Sequence, residues 1–360
     1  MNTHKRNRHT FGNFLAFLAA LAAVCLLLWS QQHNADKEDT KTGDAYHVLP
    51  GSKLCYAANE TLLAAASTGG WQLFDDTGRE IAAEQCTLES PMCAVSKAVS
   101  IFYSVGDRLL QLAYPDGQTK TLETGGAIRF ADVNRMGQLA VITDSDIYTG
   151  SVTVYSKQLT PLFRWEGGTD RPVCVRLSAN GQVAIGCLTE TGSRLLIFRT
   201  DKAEPLYECN LTNERILDLS FLREDSVAVI TDSTLFLWGK DTEHILQPRE
   251  SFPALFGGSD KLAAMVCTAE RFGGNGTLYT LSRKGNIQRD RIFSGNILDI
   301  SVCNNRVLLL SGEELILCSR RLDTIASRPL TQEAEQIFLR PDNTALAVGA
   351  NGVNLYDFGR

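Results

Sequence analysis

The sequence predicts an all-β fold in which about eight four-stranded antiparallel units close into a ring, and three observations predict it. A pattern of three apolar runs separated by turn residues recurs eight times between Leu54 and the C-terminus. The openings at Leu54, Met92, Ile128, Val173, Ile216, Ala254, Ile297 and Ile337 are 38, 36, 45, 43, 38, 43 and 40 residues apart, the length of a four-stranded sheet with its turns. After residue 30 no segment holds a 3.6-residue apolar period for three turns, so a helical repeat is excluded.

Each element of the unit follows from its residues. The second run reads Leu62-Leu63-Ala64, Ile101-Phe102-Tyr103, Leu139-Ala140-Val141-Ile142 and Val183-Ala184-Ile185 in the first four units. It continues as Val227-Ala228-Val229-Ile230, Leu262-Ala263-Ala264-Met265-Val266, Val307-Leu308-Leu309-Leu310 and Leu346-Ala347-Val348. Unbroken apolar runs of this length suit a strand covered on both faces. The third run alternates and often ends in an aromatic, as in Val152-Thr153-Val154-Tyr155 and Leu235-Phe236-Leu237-Trp238. Between first and second runs lie Arg135-Met136-Gly137, Ala179-Asn180-Gly181, Asn304-Asn305 and Pro341-Asp342-Asn343, residues that tolerate the positive φ of tight hairpins.

One such unit cannot bury both faces of its sheet, so the units must stack, and a ring removes most exposed edges. A single β-propeller of eight blades, with seven as the alternative, is the expected closure over residues 45–360. The last unit stops at Arg360 with room for three strands only. The segment Ala45-Tyr46-His47-Val48-Leu49 is expected to supply the fourth and latch the last blade to the first.

The repeat texture resembles the bacterial β-propellers with quinoprotein-like and YVTN-type repeats, and more narrowly an uncharacterised family of bacterial membrane-anchored propellers. That resemblance implies the fold and a tether but no activity. True WD40 repeats are a poorer match, because no Trp-Asp pair closes a third strand and Trp238 is followed by Gly239. The turn Asp75-Asp76-Thr77-Gly78-Arg79 is similar to a quinoprotein blade turn but occurs once.

Residues Phe11 to Trp29 carry Asn13 as their only polar side chain and span about 28 Å as a helix, close to the hydrocarbon thickness of a bilayer. Lys5, Arg6 and Arg8 precede the stretch, and Asp36, Glu38, Asp39 and Asp44 follow it. The positive-inside rule then places residues 1–10 in the cytoplasm, 11–29 across the membrane, 30–44 in a flexible linker and the propeller outside. A cleaved signal peptide fits less well, since the stretch exits through Leu26-Leu27-Leu28-Trp29 rather than small residues. A lipoprotein signal at Cys25 fits less well again, because Val24 is too large for that processing site.

The formal net charge is −6, and residues 1–30 hold three basic and no acidic residues, leaving 32 basic against 41 acidic beyond them. An acidic exterior argues against nucleic acid as a partner. Ten cysteines include Cys25 in the apolar stretch, so an odd nine remain for the exported domain. Most lie in apolar strand runs, where cysteine acts as a small hydrophobe. Cys86 and Cys93, flanking a turn with Pro91, form the best disulfide pair to expect. No Cys-x-x-Cys, Gly-x-Ser-x-Gly elbow, phosphate loop or His-Glu-x-x-His occurs, so no metal or other cofactor is implied. Of five histidines only His47 and His244 belong to the folded body, and neither neighbours a nucleophile signature. Gly273-Gly274-Asn275-Gly276 reads as a plain loop.

Loop length carries the remaining signal. The stretches Thr143–Gly150 and Thr268–Gly276 are expected as long loops on the face that also carries the inter-blade connections. They bring Asp144, Asp146, Tyr148, Glu270, Arg271 and Phe272, and the connection after unit three adds Trp165, Glu166, Asp170 and Arg171. Aromatics and arginine beside acids are the composition of a recognition surface, while ordinary solvated loop is the plainer explanation. The expectation is a non-enzymatic scaffold that binds an envelope protein or polymer. The alternative is a glycan hydrolase or lyase using Asp144, Asp146 or Glu270 as acid and base. If Ala45–Leu49 is a fourth strand, its N-terminal end lies on the opposite face, so the loop face points away from the membrane.

Overall fold

The computed structural model describes residues 46, 48–49, 51–223, 226–239, 242–246, 252–259, 261–270, 273–282 and 286–359. Eight antiparallel sheets follow one another along the chain, seven of four strands and a last one of three. Their first strands are Cys55–Ala58, Pro91–Val95, Ile128–Val133, Arg171–Leu177, Ile216–Arg223, Phe252–Gly258, Ile297–Cys303 and Gln336–Leu339. These first strands contact one another in succession and so line the inside of the ring. The expected eight-bladed propeller is thus the observed one, and the blades are numbered 1 to 8 in chain order.

Why the second runs are unbroken is visible in their burial. Leu62–Ser67, Ser100–Ser104 and Leu139–Thr143 are buried at every position, because each sheet is covered on both faces by its neighbours. Outer strands such as Thr119–Glu123 are polar and exposed in keeping with their place at the rim. One apolar cluster fills each inter-blade gap. Between blades 1 and 2, Trp71 stacks on Phe102 with ring centroids 4.3 Å apart. The hairpins are set locally: Asn134 Oδ1 accepts from the N–H groups of Met136 and Gln138, both at 3.0 Å, and Gly137 takes φ 79°.

Side chains also tie inner strands to the neighbouring blade. Asp132 Oδ2 accepts from Leu177 N at 3.0 Å, Tyr103 Oη from Ala131 N at 3.0 Å and Ser301 Oγ from Leu339 N at 2.9 Å. Asp299 accepts from Ile300 N at 2.9 Å through one oxygen and from Ile337 N at 2.8 Å through the other. Arg176, on blade 4, binds Asp218 Oδ1 at 2.7 Å and Leu219 O at 2.9 Å on blade 5, and lies 3.9 Å from Asp132 on blade 3.

The ring closes between blades 8 and 1 with help from the chain ahead of blade 1. Tyr46 and Val48 join a cluster with Tyr56, Leu63 and Phe74 of blade 1 and Leu346 and Val348 of blade 8. Arg340, 4% exposed, donates to Tyr46 Oη and to Asp76 O, each at 3.1 Å. Leu49 N–H, further along, donates to the Gln72 side chain. The segment therefore runs from the hairpin-turn end of the blades, where Arg340 and Asp76 lie, toward the inter-blade connections. Among the described residues it does not build the expected fourth strand: residues 46, 48 and 49 are not part of a sheet, and blade 8 has three strands. The described bonds of the segment run to a side-chain amide from Leu49 N–H and through the Tyr46 phenol, not along a backbone ladder. Among the described residues no helix is long and apolar enough to cross a membrane. The stretch Phe11–Trp29, the linker and His47 lie outside the described residues.

Candidate functional site

Five consecutive first strands share one irregularity. In blades 3 to 7 the pairing with the second strand skips one residue near its start: Arg129, Val173, Leu217, Ala254 and Leu298. An extra residue in one strand makes a β-bulge, which bends the strand and re-aims its side chain. Each bulge lies at the end of an inner strand that joins the inter-blade connection, so together they form an arc round that mouth of the ring. The arc is apolar over four blades, with Leu217 60% and Leu298 44% exposed. The two exposed leucines thus share one structural position, at the bulge that opens their blades.

At one end of the arc stands the loop between the second and third strands of blade 3, and here the expected long loop is present. Bulged Arg129 clamps Asp144 with both guanidinium edges, Nε to Oδ1 at 2.7 Å and Nη2 to Oδ2. A side chain at position 126 would meet the Asp144 carbonyl at 2.1 Å, so Gly126 permits the loop to lie this close. Ser145 Oγ accepts from Tyr148 N at 3.2 Å, turning the chain so that Ile147 and Tyr148 are exposed. Thr149 Oγ1 donates to Asp170 O at 2.7 Å and Gly167 N to Gly150 O at 2.9 Å, which locks the loop to the connection between blades 3 and 4. Asp170 is itself held by Arg194 at 2.7 Å, and Arg194 also pairs with Glu208. Arg171 is exposed at the start of its strand.

The hydrogen bond from Arg129 holds the Asp144 carboxyl below the usual carboxylate range. It is a poor proton donor near neutral pH, which weakens the acid–base role expected of it. Asp146 stays exposed on the loop. Among the described residues no cluster of three or more His, Cys, Asp or Glu side chains could hold a metal ion.

Several expected site residues are placed otherwise. Trp165 and Glu166 are not loop residues but belong to the outer strand Pro161–Glu166 of blade 3. Trp165 packs with Phe163 against Phe198 of the next blade, since residues two apart along a strand share a face. The second expected long loop is instead a hairpin of two extended strands, Ala263–Glu270 and Gly273–Leu281. Gly276 lies within the second of these strands, where an added Cβ would stand 3.0 and 3.1 Å from side-chain carbons of Val266 and Ile297. Glu270 ends the first of these strands, whereas Arg271 and Phe272 lie outside the described residues. The expected Cys86–Cys93 disulfide is absent, and both thiols are free. Cys86 follows an outer strand and faces Gln111 Oε1 at 3.8 Å, while Cys93 sits on an inner strand beside Cys55, 3.7 Å away.

The family profile for a family of unknown function, DUF5711, matches residues 50–355. The chain belongs to that family. Against curated proteins the comparison finds no match. Among solved structures the chain is similar to Sqt1 of Saccharomyces cerevisiae, with a TM-score of 0.64 at 11% identity over 85% of this chain and 95% of that one. It is similar to BamB of Moraxella catarrhalis, with a TM-score of 0.54 at 12% identity over 86% and 95%. The dihydro-heme d1 dehydrogenase NirN gives 0.60 at 12% identity over 86% and 73%. At such identities these likenesses establish the propeller fold alone. The DUF5711 chain therefore takes any functional reading from its own bulged arc and loop.

Proposed function

We propose that this protein is a membrane-tethered, extracytoplasmic, non-enzymatic scaffold whose inter-blade face binds a protein or envelope polymer. The observation that carries the reading is the arc of bulged residues, in which exposed Leu217 and Leu298 recur at the same position of their blades, on the face that also bears the exposed Ile147–Tyr148 loop of blade 3. Apolar contact flanked by a charged rim is the anatomy of an interface. The tether reading is supported by the apolar stretch Phe11–Trp29 with basic residues before it and acidic residues after. Tyr46 enters at the hairpin-turn end, which supports the bulged face being directed away from the bilayer.

Crosslinking in intact cells followed by mass spectrometry tests the binding. A reproducible partner, lost in a Leu217→Asp, Leu298→Asp variant that keeps its melting temperature, is the expected result. Unchanged crosslinks in the folded variant overturn it. Protease added to intact cells tests the topology, since an exported propeller whose purified form is cleavable must be digested without lysis.

A further inference from the structure

Cys55 and Cys93 stand on adjacent inner strands, of blades 1 and 2, and are 38 residues apart in sequence. Their sulfur atoms are 3.7 Å apart, and Cys93 Sγ also donates to Cys55 O at 3.5 Å. Neither residue is wholly enclosed, and Cys93 is the more deeply set of the two thiols. A disulfide needs an S–S distance of about 2.0 Å, and the two strands that carry these thiols are already in contact. We propose that Cys55 and Cys93 are an oxidisable dithiol that closes into a disulfide across the seam between blades 1 and 2.

The two thiols are unequal in a way that suits this reaction. The Cys93 S–H bond to Cys55 lowers the Cys55 thiol to about 7, whereas the same bond and burial push Cys93 well up. Cys55 is thus the attacking thiolate near neutral pH and Cys93 the resolving thiol. With a low-molecular-weight disulfide such as glutathione disulfide, the Cys55 thiolate attacks one sulfur and expels one glutathione thiolate. Cys93 then loses its proton to the medium, attacks the Cys55 sulfur of the mixed disulfide and expels the second. The two protein thiols give up two electrons and two protons, and the reagent is reduced to two glutathione thiols. The bond closes a long loop of unfolded chain, so oxidation raises thermal stability.

Full-length protein is treated with glutathione disulfide, capped with N-ethylmaleimide and digested with trypsin. Cys55 falls in the peptide Leu54–Arg79, and Cys86 and Cys93 both fall in Glu80–Lys97. The expected product joins the two peptides, persists in Cys86→Ser and disappears in Cys93→Ser and in Cys55→Ser. Its melting temperature is expected to rise by several degrees on oxidation in the wild type but not in Cys55→Ser. A bond inside Glu80–Lys97 overturns the assignment, as does capping of both Cys55 and Cys93 under conditions that convert half-buried Cys209 to its glutathione adduct.

Discussion

Replacing Asp299 by asparagine is expected to remove a pH dependence of stability that the wild-type protein shows between about pH 4 and pH 6. Burial pushes the Asp299 carboxyl from 3.8 up to about 6, against the two backbone N–H groups that favour its charge. The folded state therefore holds a proton more tightly than the unfolded chain. Stability is highest below the unfolded value and is lost as pH rises through the folded one. A shift of about 2 units corresponds to about 3 kcal/mol, trimmed toward 2 kcal/mol by solvent on the open side of the group. Asparagine keeps an acceptor for Ile337 N, which starts the inner strand of blade 8, but cannot titrate. In urea unfolding followed by tryptophan fluorescence, the wild type should exceed Asp299→Asn by about 2 kcal/mol more at pH 4 than at pH 7. Asp299→Ala should lose about 2–5 kcal/mol at both, because Ile300 N and Ile337 N lose their partner. A wild-type minus asparagine difference that stays flat across this range refutes the reasoning.

Three further outcomes are expected at the ring closure and the blade 3 loop. Arg340→Ala should destabilise the domain by about 2–4 kcal/mol in denaturant titrations, since Asp76 O and Tyr46 Oη lose a buried donor. Deleting residues 31–50 removes Tyr46 and Val48 from the cluster between blades 8 and 1, and should lower the melting temperature and broaden the transition seen by calorimetry. Asp144→Asn should cost under about 1 kcal/mol in urea unfolding, because the Arg129 pair is exposed, and its small contribution should vanish from the wild type as pH falls through the lowered carboxyl value.

The ring was legible because blade strands advertise themselves locally. Val227-Ala228-Val229 and Val307-Leu308-Leu309 have no polar break, and only a strand covered on both faces tolerates that. The arc was hidden for a related reason: a bulged leucine looks like one more apolar residue in the run that opens a blade. The available signal was the near-identity of Ile216-Leu217-Asp218-Leu219-Ser220 and Ile297-Leu298-Asp299-Ile300-Ser301, where a core strand carries an aspartate at a fixed place. Trp165 was misplaced although Phe163 and Trp165 keep a period of two, the mark of a strand rather than a loop. Cys55 opposite Cys93 was beyond local reading altogether, since only the neighbouring of inner strands brings positions 38 apart in sequence face to face.

The bulges stop at blade 3 on one side and blade 7 on the other, and the first strands of blades 8, 1 and 2 pair without a skipped residue. A ring of identical repeats would offer any ligand on its axis eight equivalent rotational settings. Here the circumference divides into a kinked apolar sector and a straight sector where the two ends of the domain meet. A partner of the proposed kind would therefore meet two unlike sectors rather than eight equivalent settings, and the straight sector is the one beside the segment that enters at Tyr46.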